Sequence, residues 1–358
     1  MIKITQLTLQ NYSAWDDYVK CHPNSTPYHL AAYSLTTSQA YSLTSVNLIA
    51  KQNNDVVGIL PICILKSLTL RKGFYSLPYC DAGACLANNN EIAQLLISKG
   101  KELLKLHNIK LWEYRDCANI DEIDILKKDF IQTGKVRMIL PLPASCEGLF
   151  NNFSAKLRNQ IRKAKKNELS VTINSPPCIQ EFYYVYCRNM KALGSPPHSL
   201  TWFETLKENY KTDINVVVIK RHKKPIAAGI QLFSGNNCSI PWAASLRKYN
   251  HLNANMLLYW SLLELAIDSQ CTNFDFGRST FGENTYRFKK QWGALPLALN
   301  WQTWDSEVII DSEITNTQYF KTIKATSMVR VTLAKLWTLL PLFITILLGN
   351  RIRKYLSL

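Results

Sequence analysis

The chain has 358 residues, 47% of them hydrophobic, which is enough for two domains with real cores. Lys and Arg number 42 against 26 Asp and Glu, a formal charge of +16. That balance favours anionic partners (nucleic acid, phosphorylated substrates or an acidic membrane face) without choosing among them. The 10 cysteines are irregularly spaced with no CxxC pair, which argues against a paired zinc site, so no metal is expected.

The opening "MIKITQLTLQ" alternates like a strand over 2–9 and lacks the pattern of a signal peptide. The thiols are therefore expected to be reduced and mostly buried, in a cytoplasmic protein. Helices follow over 12–21 and 30–41, then strands over 44–51, 56–65 and 74–79, with "QNND" as a hairpin turn. A helix over 91–107, a strand over 109–114, a helix over 124–132 and a strand over 136–142 complete the first half.

Between the halves lies "FSAKLRNQIRKAKKNEL", residues 153–169. Ser154 is a plausible N-cap. Leu157, Ile161 and Ala164 form an apolar stripe at helical spacing, beside a basic face of Arg158, Arg162 and Lys165 or Lys166. That face is either merely solvated or a grip for phosphate, for which the planar arginine fork is suited.

The second half repeats the order of the first. It has a strand over 169–173, helices over 180–193 and 200–210, and strands over 214–219, 226–233 and 237–242. "RHKKP" and "SGNN" supply the turns. A helix over 253–269, a strand over 273–276, a helix over 284–292 and a strand over 297–304 follow. "LWEYR" (111–115) and "FDFGR" (274–278) echo one another, each ending the fifth strand of its half with an arginine. The order β-α-α-β-β-β-α-β-α-β, read twice, is that of the GNAT acyltransferase fold. The expected fold class is therefore α/β (α+β), with two tandem GNAT-like domains, each a mixed sheet flanked by helices. The expected divisions are 1–145, 146–310 and a tail of 311–358.

The tail contains "LAKLWTLLPLFITILLGNRIRKYL", whose apolar core over 336–348 is interrupted by a proline. That run is short of the roughly 20 apolar residues needed to span a bilayer. Cations flank it: Lys321, Lys324, Arg330 and Lys335 before, and Arg351, Arg353 and Lys354 after. Such a segment suits a membrane interface or a C-terminal helix packed on the protein itself.

"SAKLRNQIRKAKK", "GSPPHS" (194–199), "PWAASLRKYNHLNANMLLYW" (241–260) and "FDFGRSTFGENTYRFKKQWGA" (274–294) together resemble the FemAB-related proteins, the twin-GNAT acyltransferases of bacterial cell envelopes. More narrowly the pattern is similar to FemAB-like proteins of exopolysaccharide and exosortase clusters, with a BioF2-like acetyltransferase domain. The resemblance implies transfer of an acyl or aminoacyl group, from acyl-CoA or aminoacyl-tRNA as co-substrate with no tightly bound cofactor. The acceptor it implies is an amine on a pyrophosphate-bearing or lipid-linked precursor. It also implies that Phe288 and Lys289 lie beside the acceptor, and it matches Arg158 and Arg162 to the arginines of the inter-domain helix. In ordinary GNAT enzymes a glycine-rich loop before the long helix cradles the CoA pyrophosphate. Here "KYNHLNANML" puts asparagines in place of the glycines.

Acyl transfer to an amine needs a base or water relay, oxyanion donors and charges that hold both substrates. Lys289 is the first candidate for stabilising negative charge, and Arg278, at a strand end, is the second. Asp275 is read as a partner that orients Arg278 or as a base. His198 is a base by residue type, Tyr286 a hydrogen-bond donor or core aromatic, and Asp81 of "YCDAG" a site residue between the domains. Two other classes stay open: a non-catalytic, membrane-docked assembly factor for polysaccharide synthesis, and a nucleic-acid binder resting only on charge.

Overall fold

Neighbours in the sequence are not always neighbours in the sheets. The computed structural model describes residues 1–68, 71–117, 134–305 and 327–357. The first half supplies strands β1 (Ile2–Gln6), β2 (Thr44–Ser45), β3 (Leu48–Gln52), β4 (Asp55–Leu60), β5 (Cys63–Lys66), β6 (Lys72–Tyr75), β7 (Leu86–Ala87), β8 (Leu111–Cys117) and β9 (Lys135–Pro141). Its helices are α1 (Tyr12–Cys21), α2 (Ala31–Tyr41) and α3 (Asn90–Leu106); the helix expected over 124–132 falls outside the described residues.

The second half begins with α4 (Cys146–Asn152) and α5 (Ala155–Lys166), then β10 (Leu169–Ile173), α6 (Cys178–Ala192) and α7 (Leu200–Tyr210). Strands β11 (Ile214–Arg221), β12 (Lys224–Ser234) and β13 (Asn237–Ser245) follow, then α8 (Ala254–Asp268), β14 (Asn273–Thr280), α9 (Asn284–Lys290) and β15 (Leu295–Asp305). Two short helices, α10 (Ser327–Leu339) and α11 (Leu342–Ile352), form the tail where one was expected, because Pro341 breaks the run.

The expected strands over 44–51 and 56–65 each divide in two. Asn47 and Pro61 mark the divisions. The buried Asn47 side chain accepts from Ile62 N at 3.0 Å and donates to Ser34 Oγ at 3.0 Å. Side-chain bonds thus replace ladder bonds where the chain crosses between sheets. β3 and β4 stay in a four-stranded sheet ordered β1-β3-β4-β7, while β2 and β5 join an eleven-stranded sheet.

The large sheet runs β10-β11-β12-β13-β14-β9-β15-β8-β6-β5-β2. β9 of the first half lies between β14 and β15, antiparallel to both, and β15 lies between β9 and β8. Each half thus contributes its last strand to the other's ladder. Strand β11 is buried on both faces, which is why it reads as a continuous apolar run. Val216 and Val218 pack under α6 and α7, and Val217 and Ile219 pack under α5 and α8. The expected N-cap is present, with Ser154 Oγ accepting from Leu157 N, and Leu157, Ile161 and Ala164 are buried.

β13 and β14 are parallel but pair only over Asn237–Ser239 and Asn273–Asp275. Beyond that point they part. The opening lies at the C-terminal ends of the two strands, where α/β sheets present their sites.

Candidate functional site

The parting of β13 and β14 frees backbone groups, and the side chains around it satisfy them. The ladder between β14 and β9 shifts register between Asp275 and Arg278. Gly277, at φ +76, takes the left-handed conformation this bulge requires. Asp275 Oδ1 accepts from Gly277 N at 2.7 Å and closes the turn. Lys289, on α9, returns to the bulge. Its Nζ donates to Gly277 O at 3.0 Å and Arg278 O at 2.7 Å.

Lys289 is 8% exposed. Burial lowers its pKa to about 8, against the opposing pull of Asp275 and Asp81 and with a further push from Arg278. An ammonium has three donors, and two are engaged on carbonyls. One remains for a substrate oxygen.

Asp275 has a different partner from the one expected. Its Oδ2 accepts from Arg137 Nε at 2.8 Å and from Ser239 Oγ at 3.2 Å. Arg137 belongs to β9, so this buried ion pair crosses between the halves. Burial pulls the Arg137 pKa down, but Asp275, Cys117 and Tyr28 together outweigh it and the net shift is upward. Held by three donors, Asp275 is an anchor rather than a base. Arg278 instead pairs with Asp81: Nε lies 3.4 Å from Oδ1, and the Arg278 amide donates to Oδ2 at 3.2 Å. Burial first, and then the charges of Asp275 and Asp81, raise the pKa of the buried Tyr28.

The echo between the two strand-end arginines becomes a contact. Arg115 and Arg278 stand 4.9 and 5.3 Å from the ring centroid of Trp301 on β15, whose indole N–H donates to Asp81 O at 2.9 Å. Arg115 is fully buried, paired with Glu113 at 2.6 Å and donating to Leu77 O and Cys80 O. Burial pushes the Cys80 thiol up to about 12, so it stays protonated at neutral pH.

Lys289, Arg278, Asp275 and Asp81 therefore converge, joined by Arg137, Ser239 and Trp301, which the sequence reading passed over. Arg137 sits in an apolar strand with no acid near it in sequence. Its role appears only through strand exchange.

The remaining candidates lie elsewhere. His198 is fully buried, with Nδ1 2.8 Å from Tyr41 Oη and Nε2 accepting from Arg353 Nε at 3.0 Å. Burial, then Arg353, lowers its pKa well below the usual value, so it is a neutral ring with both nitrogens engaged and not a base for transfer. Its motif seats the tail: a Cβ on Gly349 would meet Pro197, and one on Gly194 would meet Ala334. Arg158 donates to Asn151 O and Phe153 O, closing the end of α4, and the Arg162 guanidinium lies 5.3 Å from the Phe150 ring. Tyr286 packs on Phe281, and Phe288 on Tyr259. In the loop before α8, Asn253 takes φ +56, the conformation a glycine there would supply.

Residues 151–290 match the family model for the acetyltransferase (GNAT) domain. Among solved structures the chain is similar to FemX, at 15% identity over 90% of this chain and 100% of that one, with a TM-score of 0.68. It is similar to the C-terminal domain of a putative lysylphosphatidylglycerol synthetase from Agrobacterium fabrum, at 10% identity over 81% and 91% and a TM-score of 0.50. It is also similar to a tandem GNAT protein from the clavulanic acid biosynthesis pathway, at 11% identity over 85% and 98% and a TM-score of 0.50. No curated protein matches in sequence.

Proposed function

We propose that the chain is an acyltransferase that moves an acyl group from acyl-CoA to an amine on a cell-envelope or exopolysaccharide precursor, with support from the acetyltransferase (GNAT) domain match over residues 151–290 and from the fold shared with FemX and a tandem GNAT protein. The amine nitrogen attacks the thioester carbonyl, the C–N bond forms, and the C–S bond breaks. The CoA thiolate leaves and takes up the proton that the amine loses.

One observation carries this reading. A buried ammonium, Lys289, sits at the mouth of two parting strands with one donor unspent. It is the proposed stabiliser of the oxyanion, at a site where water is scarce and the charge counts for more. Arg278 and Asp81 are proposed to hold the acceptor, and Asp275 with Arg137 to fix the bulge. With His198 and Asp275 both engaged, the amine proton is assigned to a water relay.

The donor is assigned to acyl-CoA because the matched domain is an acetyltransferase. The acceptor class draws on the FemX-like frame and on the similarity to a putative lysylphosphatidylglycerol synthetase. The tail is proposed to rest on the inner leaflet. In support, Val331, Leu333, Leu336, Leu339, Phe343 and Leu347 are exposed, and no acid occurs after Glu313. Among the described residues no helix is long and apolar enough to cross a membrane.

Thiol release from acetyl-CoA, with amino-sugar phosphates as acceptors, tests the reading. Lys289→Ala is expected to lower turnover about a hundredfold or more, the cost typical of a lost oxyanion donor. Unchanged turnover in a folded Lys289→Ala protein rejects the assignment. No turnover by the native chain moves the donor to aminoacyl-tRNA or the role to a non-catalytic assembly factor.

A further inference from the structure

A second pair of parallel strands parts in the first half, and the chain's own tail reaches the opening. β6 and β8 pair only over Gly73–Tyr75 and Leu111–Glu113. Beyond that point a side chain takes over from the ladder, with Ser76 Oγ accepting from Arg115 N at 3.2 Å. The tail leaves α11 through a single 3₁₀ turn, Arg353–Tyr355, and Leu356 beyond it is extended.

Ser357 O bridges the two sides of the opening. It accepts from Tyr79 N, past the end of β6, at 2.7 Å, and from Arg115 Nη2, on β8, at 3.1 Å. Arg115 is fully buried, with Nε and Nη1 spent on Glu113, Leu77 O and Cys80 O. Tyr79 is 7% exposed and takes φ +64, the left-handed region that a bulky side chain rarely adopts. Two buried donors that meet at one point are costly without an acceptor, and one of them is charged. A strained backbone held by its surroundings at such a point marks a used site. Three further contacts grip the same segment. Tyr79 Oη donates to Lys354 O at 3.4 Å, the Arg353 guanidinium lies 5.3 Å from the Tyr79 ring centroid, and Arg353 Nε donates to His198 Nε2 at 3.0 Å.

We propose that the opening between β6 and β8 is a peptide-binding seat, shaped for a backbone carbonyl with an arginine upstream of it, and that residues 353–357 of this chain fill it. The seat latches the tail to the first half and is closed to outside ligands while the tail is in place. It also reaches the candidate site. Arg115 lies 4.9 Å from the Trp301 ring centroid, and the same ring carries Arg278. A seated tail fixes Arg115, and Arg115 backs the ring on which Arg278 stacks. The effect on the acceptor rests on the transfer reading above; the seat itself does not.

Hydrogen exchange at the Tyr79 amide of the full chain tests the seat. The native amide is expected to be protected. Gly349→Val with Arg353→Ala should dislodge the tail, because a Cβ at Gly349 meets Pro197 and alanine cannot donate to His198. Exchange at Tyr79 should then speed about tenfold or more. Arg353→Ala alone is the second variant should the pair not fold. A synthetic, C-terminally amidated peptide of residues 352–357 should bind the substituted chain saturably and restore protection, while a scrambled peptide of equal charge should not. The native chain, already filled, should bind neither. An unprotected Tyr79 amide in the native chain, or exchange and peptide binding alike in native and substituted chains, overturns the seat. Dislodging the tail should also raise the acceptor KM about threefold or more with kcat little changed, and an unmoved KM overturns the link to Trp301. The exchange readout needs no substrate, so a failed transfer reading does not mimic a failed seat.

Discussion

At Lys289, burial and neighbouring charge oppose each other, and burial wins. Its pKa falls to about 8, and Asp275 and Asp81 keep it from falling further. If the ammonium form stabilises the oxyanion, activity is lost as pH rises through about 8. Asp81→Asn removes a charge that raises this pKa, so the alkaline midpoint should move to lower pH. A pH profile of thiol release checks this; a midpoint unmoved or raised contradicts it. The basic, aromatic helix after an apolar strand and a glycine turn stood out in the sequence, and the resemblance to FemAB-related proteins singled out Lys289 within it. Arg137 did not stand out, because its partner Asp275 is 138 residues away and pairing across that distance leaves no local pattern. His198 misled by residue type alone. An imidazole after two prolines gives no sign that an arginine from the tail will occupy its second nitrogen.

Among the elements, periodicity gave most helices and strands, while the sheet crossings at Asn47 and Pro61 required knowledge of side-chain bonding. The basic helix α5 shows the limit of reading a charged face: its apolar stripe is buried as expected, yet Arg158 closes the preceding helix. The tail was legible as short, apolar and basic. What the sequence did not give was the division of labour within it. Thr345 and Gly349 face inward, while Leu339 and Phe343 are 78% and 71% exposed. If that face rests on lipid, each lost apolar contact costs roughly 1.5–3 kcal/mol. Leu336→Glu with Phe343→Glu should therefore reduce sedimentation with anionic vesicles about a hundredfold or more, and leave turnover of soluble acceptors intact. Undiminished sedimentation removes the tail from the membrane contact.

For the molecule as a whole, two repeated halves were visible in the order of elements, but the exchange of β9 and β15 between ladders was not. Element order specifies sequence neighbours, and strand exchange is a choice among spatial ones. The Arg137–Asp275 pair, the Asp81–Arg278 pair and the Trp301–Asp81 bond draw on both halves, so neither half holds the candidate site alone. The proposed acyl-CoA donor lies across this joint site, where β13 and β14 part. Calorimetric titration of acetyl-CoA at moderate salt, with adenosine 3′,5′-bisphosphate as the charge-matched control, is the measurement to make. Saturable acetyl-CoA binding well above that of the control is expected. Equal, weak and salt-sensitive heats for both ligands would rule the donor out.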